Sequence, residues 1–452
     1  MIDGGDGDDL ITFAVESHLG GGGSGTLLTG GGNDTVELSV FTALGNAGSG
    51  TLAAGSGDDL VTFRQGSDIG SLAGSAGTLL GESGADKLFF HDDSNIGLAG
   101  QGSLLAGSGD DTLALSSGSD LGDRAGGFGL AQAGGGGDTI FLEDHSNIGA
   151  LGRGLVDAGS GDDIVLLSGS SNIGAYTGGE GTLLGGEGND TFELAVDSNI
   201  GKGGSGTLDA GAGDDVIVLR DGSDIGDEDA LPVGDGVAVG DGTLLAGLGD
   251  DRVTFSNGSD IGAASGASGL LLGEGGADKI TFMGGSHLGN LGKGTLDGGS
   301  GNDTLTFSGA SGIAEGTGSQ GLVLGGDGED TLQMSGGAVA RAGSATLFGG
   351  LGLDLFSLSG GSSVATATGS EATLFGGSGG NFFLFDASDL AVAGTATLYG
   401  GNDTNNFRFG SGSEGADEAG AEAPLFGGSG YDYFELQGAD VVTLREAFDD
   451  DH

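Results

Sequence analysis

The chain has 452 residues, 110 of them Gly and only 2 Pro, with no Cys or Trp, and its 66 acids against 12 bases give a formal charge of −54. That charge excludes nucleic acid and anionic membrane as natural partners, and the missing Cys excludes disulfides and thiolate metal sites. Gly does not recur every third residue, which excludes collagen, and no run of 18 apolar residues is present to span a membrane.

Acidity and abundant Gly on their own suit a disordered chain, but the order of the residues does not. The chain opens on Gly4-Gly5-Asp6-Gly7-Asp8-Asp9 followed by Leu10-Ile11-Thr12-Phe13. The same phrase returns as Gly55-Ser56-Gly57-Asp58-Asp59 before Leu60-Val61-Thr62-Phe63, and as Gly299-Ser300-Gly301-Asn302-Asp303 before Thr304-Leu305-Thr306-Phe307. Its last acid marks a series: Asp9, Asp34, Asp59, Asp86, Asp111, Asp138, Asp163, Asp190, Asp215, Asp251, Asp278, Asp303, Asp330 and Asp354, then Asn381, Asn405 and Asp432. Intervals alternate between 25 and 27 residues over much of the chain, so a longer unit of 52 residues is superimposed. The interval from Asp215 to Asp251 is 36 residues and holds an acidic insertion around 227–241, which a repeat array tolerates as a loop on its flank.

After each anchor the pattern is x-U-x-U with U apolar, as in Ile11/Phe13, Val61/Phe63, Leu113/Leu115 and Phe383/Phe385. Period two predicts a short strand with one buried face. Leu10, Leu60, Ile164 and Val216 depart from it and would leave apolar atoms outside. A second segment reads Ser-(Asp/Asn/His)-(Ile/Leu)-Gly, as in Ser67-Asp68-Ile69-Gly70 and Ser286-His287-Leu288-Gly289, and a third reads Gly-Thr-Leu, as in Gly25-Thr26-Leu27. A single coil of three short pieces cannot bury its own apolar face, but stacked coils share one continuous core. The expected fold is therefore all-β: a parallel β-helix, or β-solenoid, of about 17 coils with 25–27 residues each over residues 1–436. Coils about 4.8 Å apart would stack into a rod of roughly 80 Å.

The phrase Gly-Gly-x-Gly-x-Asp-x-U-x resembles the calcium-binding nonapeptide of the RTX (haemolysin-type) family of secreted bacterial proteins. Good matches are Gly4 to Asp9, Gly185-Gly186-Glu187-Gly188-Asn189-Asp190, Gly325-Gly326-Asp327-Gly328-Glu329-Asp330 and Gly427-Gly428-Ser429-Gly430-Tyr431-Asp432. The resemblance implies Ca²⁺ ions between stacked turns, held by the anchor Asp carboxylates and backbone carbonyls, with the fourteen anchors from Asp9 to Asp354 as metal ligands. One nonapeptide per coil, rather than two in tandem, implies a single column of ions on a wider coil. Asn381 and Asn405 replace the acid, so calcium is expected to be weaker or absent there. The chemistry points the same way: Ca²⁺ takes 6–8 oxygens in flexible geometry, and acids stacked about 5 Å apart repel by roughly 3 kcal/mol per pair at an effective dielectric of 20. Gly and Asp are also good turn formers, which alone does not require an acid at one fixed place.

Other columns have simpler readings. Ser67, Ser94, Ser119 and their successors suit a side-chain hydrogen-bond ladder. The adjoining Asp68, Asn95, Asp120, Asn147, Asn172, Asn199, Asp224 and Asp260 suit turn formation before a second cation row. The five His show no zinc spacing. A Thr column (Thr26, Thr51, Thr78, Thr182, Thr207, Thr243, Thr295) suggests ice binding, but Gly129, Gly154, Gly269 and Gly321 are read as interrupting it. Regular repetition argues against catalysis, since an active site is a local exception to a repeat.

The N-terminus shows no basic-plus-apolar signal peptide, and residues 437–452 read as a cap or an uncleaved export signal of the kind the resemblance implies. The expected function is a secreted calcium-binding structural protein, not an enzyme, serving as fibre, surface layer, matrix component or adhesin stalk and folding on Ca²⁺ outside the cell. Head-to-tail self-association into fibres and a cell-surface or polysaccharide partner are expected of such a rod. The alternatives are an accessory module of a carbohydrate-active enzyme and a β-helical polysaccharide-degrading enzyme.

Overall fold

A computed structural model describes residues 1–229, 238–415 and 421–437. The expected segment 437–452 thus lies outside the described residues except for Gln437, as do residues 230–237 of the insertion. The described residues contain strands and no α-helix. The fold is a parallel β-solenoid, with 17 strands of one type and 17 of a second. The chain divides into two compact units, residues 1–216 with 226–244, and residues 217–225 with 245–452.

Within each unit a turn begins with a strand of about eight residues. In the first unit Ala76–Ser83 pairs in parallel with Gln101–Ser108, Leu79 beside Leu104. In the second unit Ser268–Gly275 pairs with Lys293–Ser300, Leu271 beside Leu296. Alternate residues point inward, so Leu79, Leu104, Ala131 and Val156 are buried. The acidic bend follows, then the x-U-x-U strand, such as Lys87–Phe90 against Thr112–Leu115 with Leu88 beside Leu113. A third row is short, either two-residue strands such as Ala43–Leu44 beside Asp68–Ile69 or single bridged residues, Ile96 beside Leu121 beside Ile148 in the first unit and Ile261 beside Leu288 beside Ile313 in the second. Three inward rows make a thin core in which each buried Leu, Ile or Phe contributes about 1.5–3 kcal/mol. Leu10 and Ile164 do lie outside, 75% and 43% exposed.

The 52-residue period has a local cause. Alternate coils carry a corner two residues longer before the long strand, closed by a tight turn: Ser75 N–H donates to Leu72 O (2.9 Å), Gly127 to Arg124 (2.7 Å) and Gly179 to Tyr176 (2.7 Å). Strand register is untouched by these extra residues. The insertion begins as an antiparallel hairpin, with Glu228 opposite Val239.

The Thr column needs correction. Register places Gly129 beside Gly102 and Gly154, not beside Thr. The outward residues that align with Thr78 are Ser103, Leu130 and Leu155. The Gly of Gly-Thr-Leu is thus kept, and the break in the row is made by Leu.

Aromatic residues stack along the inward rows of the second unit. Phe356, Phe383, Phe407 and Phe434 form one ladder with ring centroids 4.7–4.8 Å apart, and Phe385 lies 5.0 Å from Phe409. Phe375, Tyr399 and Phe426 stack at 4.8 Å on the outer side.

Candidate metal-binding row

Each acidic bend needs two residues with positive φ, four and two positions before the anchor. At Asp59 these are Gly55 (105°) and Gly57 (124°), a region that L-residues rarely enter. Glu82 and Glu274 take the first of these positions at 77° and 72°, which explains why Gly81-Glu82-Ser83-Gly84 keeps the turn after losing its second Gly. The bend points the anchor inward, and Asp34, Asp59, Asp86, Asp111, Asp138, Asp163, Asp190, Asp215, Asp251, Asp278, Asp303, Asp330 and Asp354 are all buried.

The anchors form a hydrogen-bonded row. Asp9 N–H donates to Asp34 Oδ1 (2.7 Å), Asp34 to Asp59 (2.7 Å), Asp59 to Asp86 (2.9 Å) and Asp86 to Asp111 (2.7 Å). In the second unit Asp251 donates to Asp278 (2.9 Å), Asp278 to Asp303 (2.8 Å) and Asp303 to Asp330 (2.8 Å). One carboxylate oxygen per anchor is therefore satisfied by the preceding coil. The other is not. Among the described residues, the buried Oδ2 atoms of Asp9, Asp34, Asp59, Asp86, Asp111, Asp138, Asp163, Asp190, Asp278, Asp303, Asp330 and Asp354 have no hydrogen-bond partner.

In seven of these turns the oxygen faces another oxygen. Five residues before Asp303 stands Gly298, and the point its Cβ would occupy lies 2.5 Å from Asp303 Oδ2 and 2.5 Å from the Gly325 carbonyl of the next coil. At Gly4 the same point is 2.5 Å from Asp9 Oδ2 and 2.6 Å from Thr29 O. Gly81, Gly185, Gly273, Gly325 and Gly349 repeat the arrangement. The bare Cα leaves room for two oxygens to converge. In other coils Ala54, Ala106, Ala133 and Ala158 stand at this position, and Thr29 there donates its hydroxyl to Ala54 O.

Burial disfavours the charged form and outweighs the single N–H that each anchor accepts. Desolvation, helped by neighbouring carboxylates, pushes Asp111, Asp163 and Asp278 up to about 7. The same causes bring Asp59, Asp303 and Asp354 to about 6. Asp86, Asp138, Asp190 and Asp330 are also raised by burial.

The donor set fits a hard divalent cation. It offers an orphaned carboxylate oxygen and a converging backbone carbonyl at each Gly-cradled turn, the chemistry Ca²⁺ prefers. No cluster of three or more His, Asp or Glu side chains arranged for a metal occurs among the described residues, so carbonyls would have to supply much of the shell. The sequence placed these acids in one row; it did not show that only one oxygen of each is unsatisfied.

The flanking rows are hydrogen-bonded too. On the outside, Asn33 N–H donates back to Asp8 Oδ1 (2.8 Å) and Asp58 to Asn33 Oδ1 (3.0 Å). Ser67 N–H donates forward to Ser94 Oγ (3.1 Å) and Ser94 to Ser119 (3.1 Å), the ladder expected. Asn95 N–H donates back to Asp68 Oδ1 (2.9 Å) and Asp120 to Asn95 Oδ1 (2.7 Å). In this row Asp and Asn oxygens serve as backbone acceptors, as turn formation requires, and His287 joins it by accepting from Gly312 N–H at Nδ1 (3.0 Å).

A second feature was not foreseen. In the first unit the longer corners flank a groove of about 750 Å³ lined by Asp68, Asp120, Asp123, Arg124, His145 and Tyr176 among others. Burial pushes Asp68 up to about 6 and Asp120 well above the carboxylate range. Only the alternation of 25 and 27 residues signalled it.

Fold and row together define a parallel β-solenoid with one inward acidic seam in each unit. No protein-family model matches the chain, and no curated protein sequence does. Among solved structures it is similar to a hyperactive, Ca²⁺-dependent, β-helical antifreeze protein from an Antarctic bacterium. That similarity has 16% identity and a TM-score of 0.32, covering 90% of this chain and 84% of the other.

Proposed function

We propose that the chain is a secreted, calcium-binding structural protein, a component of a fibre, surface layer, matrix or adhesin stalk rather than an enzyme. The supporting observation is the row of buried Asp Oδ2 atoms without hydrogen-bond partners, which at the Gly-cradled turns face a carbonyl oxygen. Ca²⁺ bound there would be held by the anchor carboxylates, foremost those cradled by Gly: Asp9, Asp86, Asp190, Asp278, Asp303, Asp330 and Asp354. It would supply the positive charge that lets these carboxylates remain ionised in a thin core. Ligands that exist as a site only in the folded chain couple metal binding to folding, so low calcium would keep the chain open and higher calcium outside a cell would close it. Circular dichroism during calcium titration tests this. The β signal and melting temperature are expected to rise with calcium and fall with chelator, and no response to either would overturn the reading.

The groove beside Asp120 and Asp123 favours a second reading, a polysaccharide-binding module. Polar side chains there break the coil-to-coil repeat, and the space suits an extended chain of hydroxyl groups. Affinity electrophoresis against neutral and acidic polysaccharides is expected to show retardation that D123A removes; unchanged mobility on every polymer would defeat it.

A further inference from the structure

Resting on the calcium reading, we infer that Asn381 and Asn405 are built-in substitutes for the cation, and that the turns around them hold together without metal. Asn has the shape of Asp but presents two N–H donors where Asp presents a second acceptor. Asn381 Oδ1 accepts from Asp354 N–H (2.9 Å), as any anchor would. Its Nδ2 donates to Gly379 O and to Gly400 O of the next coil, both at 3.1 Å. Asn405 repeats this, donating to Asp403 O (3.1 Å), to Gly427 O (3.1 Å) and to Asp432 Oδ1 (3.0 Å).

The acceptors matter. Gly400 O and Gly427 O correspond to Gly325 O at Asp303, the carbonyl on which an anchor Oδ2 converges with no donor between them. The amide therefore closes with hydrogen bonds the same gap that a cation would close with charge. Neither Asn leaves a buried side-chain atom without a partner, and neither anchor carries a negative charge to neutralise.

A second, independent feature coincides. The ladders Phe356-Phe383-Phe407-Phe434 and Phe385-Phe409 run through the Asn turns. The matching inward positions around Asp111 to Asp163 hold Leu113, Ile140 and Val165. Aromatic pairs add about 0.5–1.5 kcal/mol each beyond their buried area, so two stacked ladders support the turns where the anchor acid is missing, as shorter stacks such as Phe255-Phe282-Phe307 do beside Asp anchors.

Hydrogen exchange read by mass spectrometry on the full chain, in calcium and in excess chelator, tests the inference. Peptides within 371–409 are expected to stay protected in chelator while those within 86–190 lose protection. Simultaneous loss in both regions would overturn the inference and leave the calcium reading standing; full protection of both in chelator would overturn the calcium reading and this inference with it. The variant N381D/N405D is expected to bind two more Ca²⁺ per chain and lose chelator-resistant protection at 371–409. D330N/D354N is expected to bind two fewer and to extend the protected block. Unchanged calcium counts and protection in both variants would sink the proposal.

Discussion

The turns from Asp86 to Asp190 and those at Asn381 and Asn405 share one backbone path, yet they meet the same internal problem by different means. Asp86, Asp190 and both Asn meet a carbonyl beside the anchor side chain, and in both groups the anchor accepts an N–H from the preceding coil. In the first group the remaining atom is a carboxylate oxygen without a donor; in the second it is an amide nitrogen with two or three acceptors. One atom per coil thus decides whether a stack needs an outside ion. The fold itself does not.

The contrast can be broken most severely through packing. Phe383→Ala is expected to cost about 3–5 kcal/mol, in calcium and chelator alike, because its ring neighbours Phe356 and Phe407 lose their stack; denaturant melts followed at the C-terminal peptides measure this. Smaller is the effect of Asp163→Ala, which leaves Asp138 N–H without its acceptor and should cost about 1–3 kcal/mol. Asp163→Asn restores the acceptor, so in chelator it is expected to melt above the parent chain, and in calcium below it.

pH gives a further test in the absence of metal. Asp59, Asp111 and Asp163 rise from 3.8 to about 6 or 7 on folding, so the folded state binds more protons between those values. Metal-free stability is therefore expected to fall as pH rises from about 4 through about 7, and calcium should reverse the trend by holding the carboxylates charged. Melting temperatures at pH 5 and pH 8, with and without chelator, check the sign. Smallest is Glu82→Gly, which relieves a left-handed L-residue and should gain about 1 kcal/mol.

Much of this was legible in the residues. Period two after each anchor located the inward pairs such as Leu88/Phe90, and the anchors themselves located the row, because a repeat of nearly fixed length leaves one way to stack. Strand register was less legible: Gly129 looked like a gap in the Thr column until its pairing with Gly102 placed Leu130 there. The alternate corners were visible as spacing but not as a groove, since two extra residues do not reveal which way a loop projects. The fate of each carboxylate oxygen was hidden, because spacing places an atom near its neighbours without saying which of them are donors.

The four side-chain rows have one more consequence. Asp34 and Ser67 donate their N–H groups toward the following coil, while the adjacent Asn33 and Asn95 donate toward the preceding one. Neighbouring rows thus carry bond dipoles of opposite sense, in the manner of alternating strand dipoles. Coils can be added within a unit without the dipoles of these four rows summing along the stack, so repeat number is free to vary without an accumulating bond-dipole penalty.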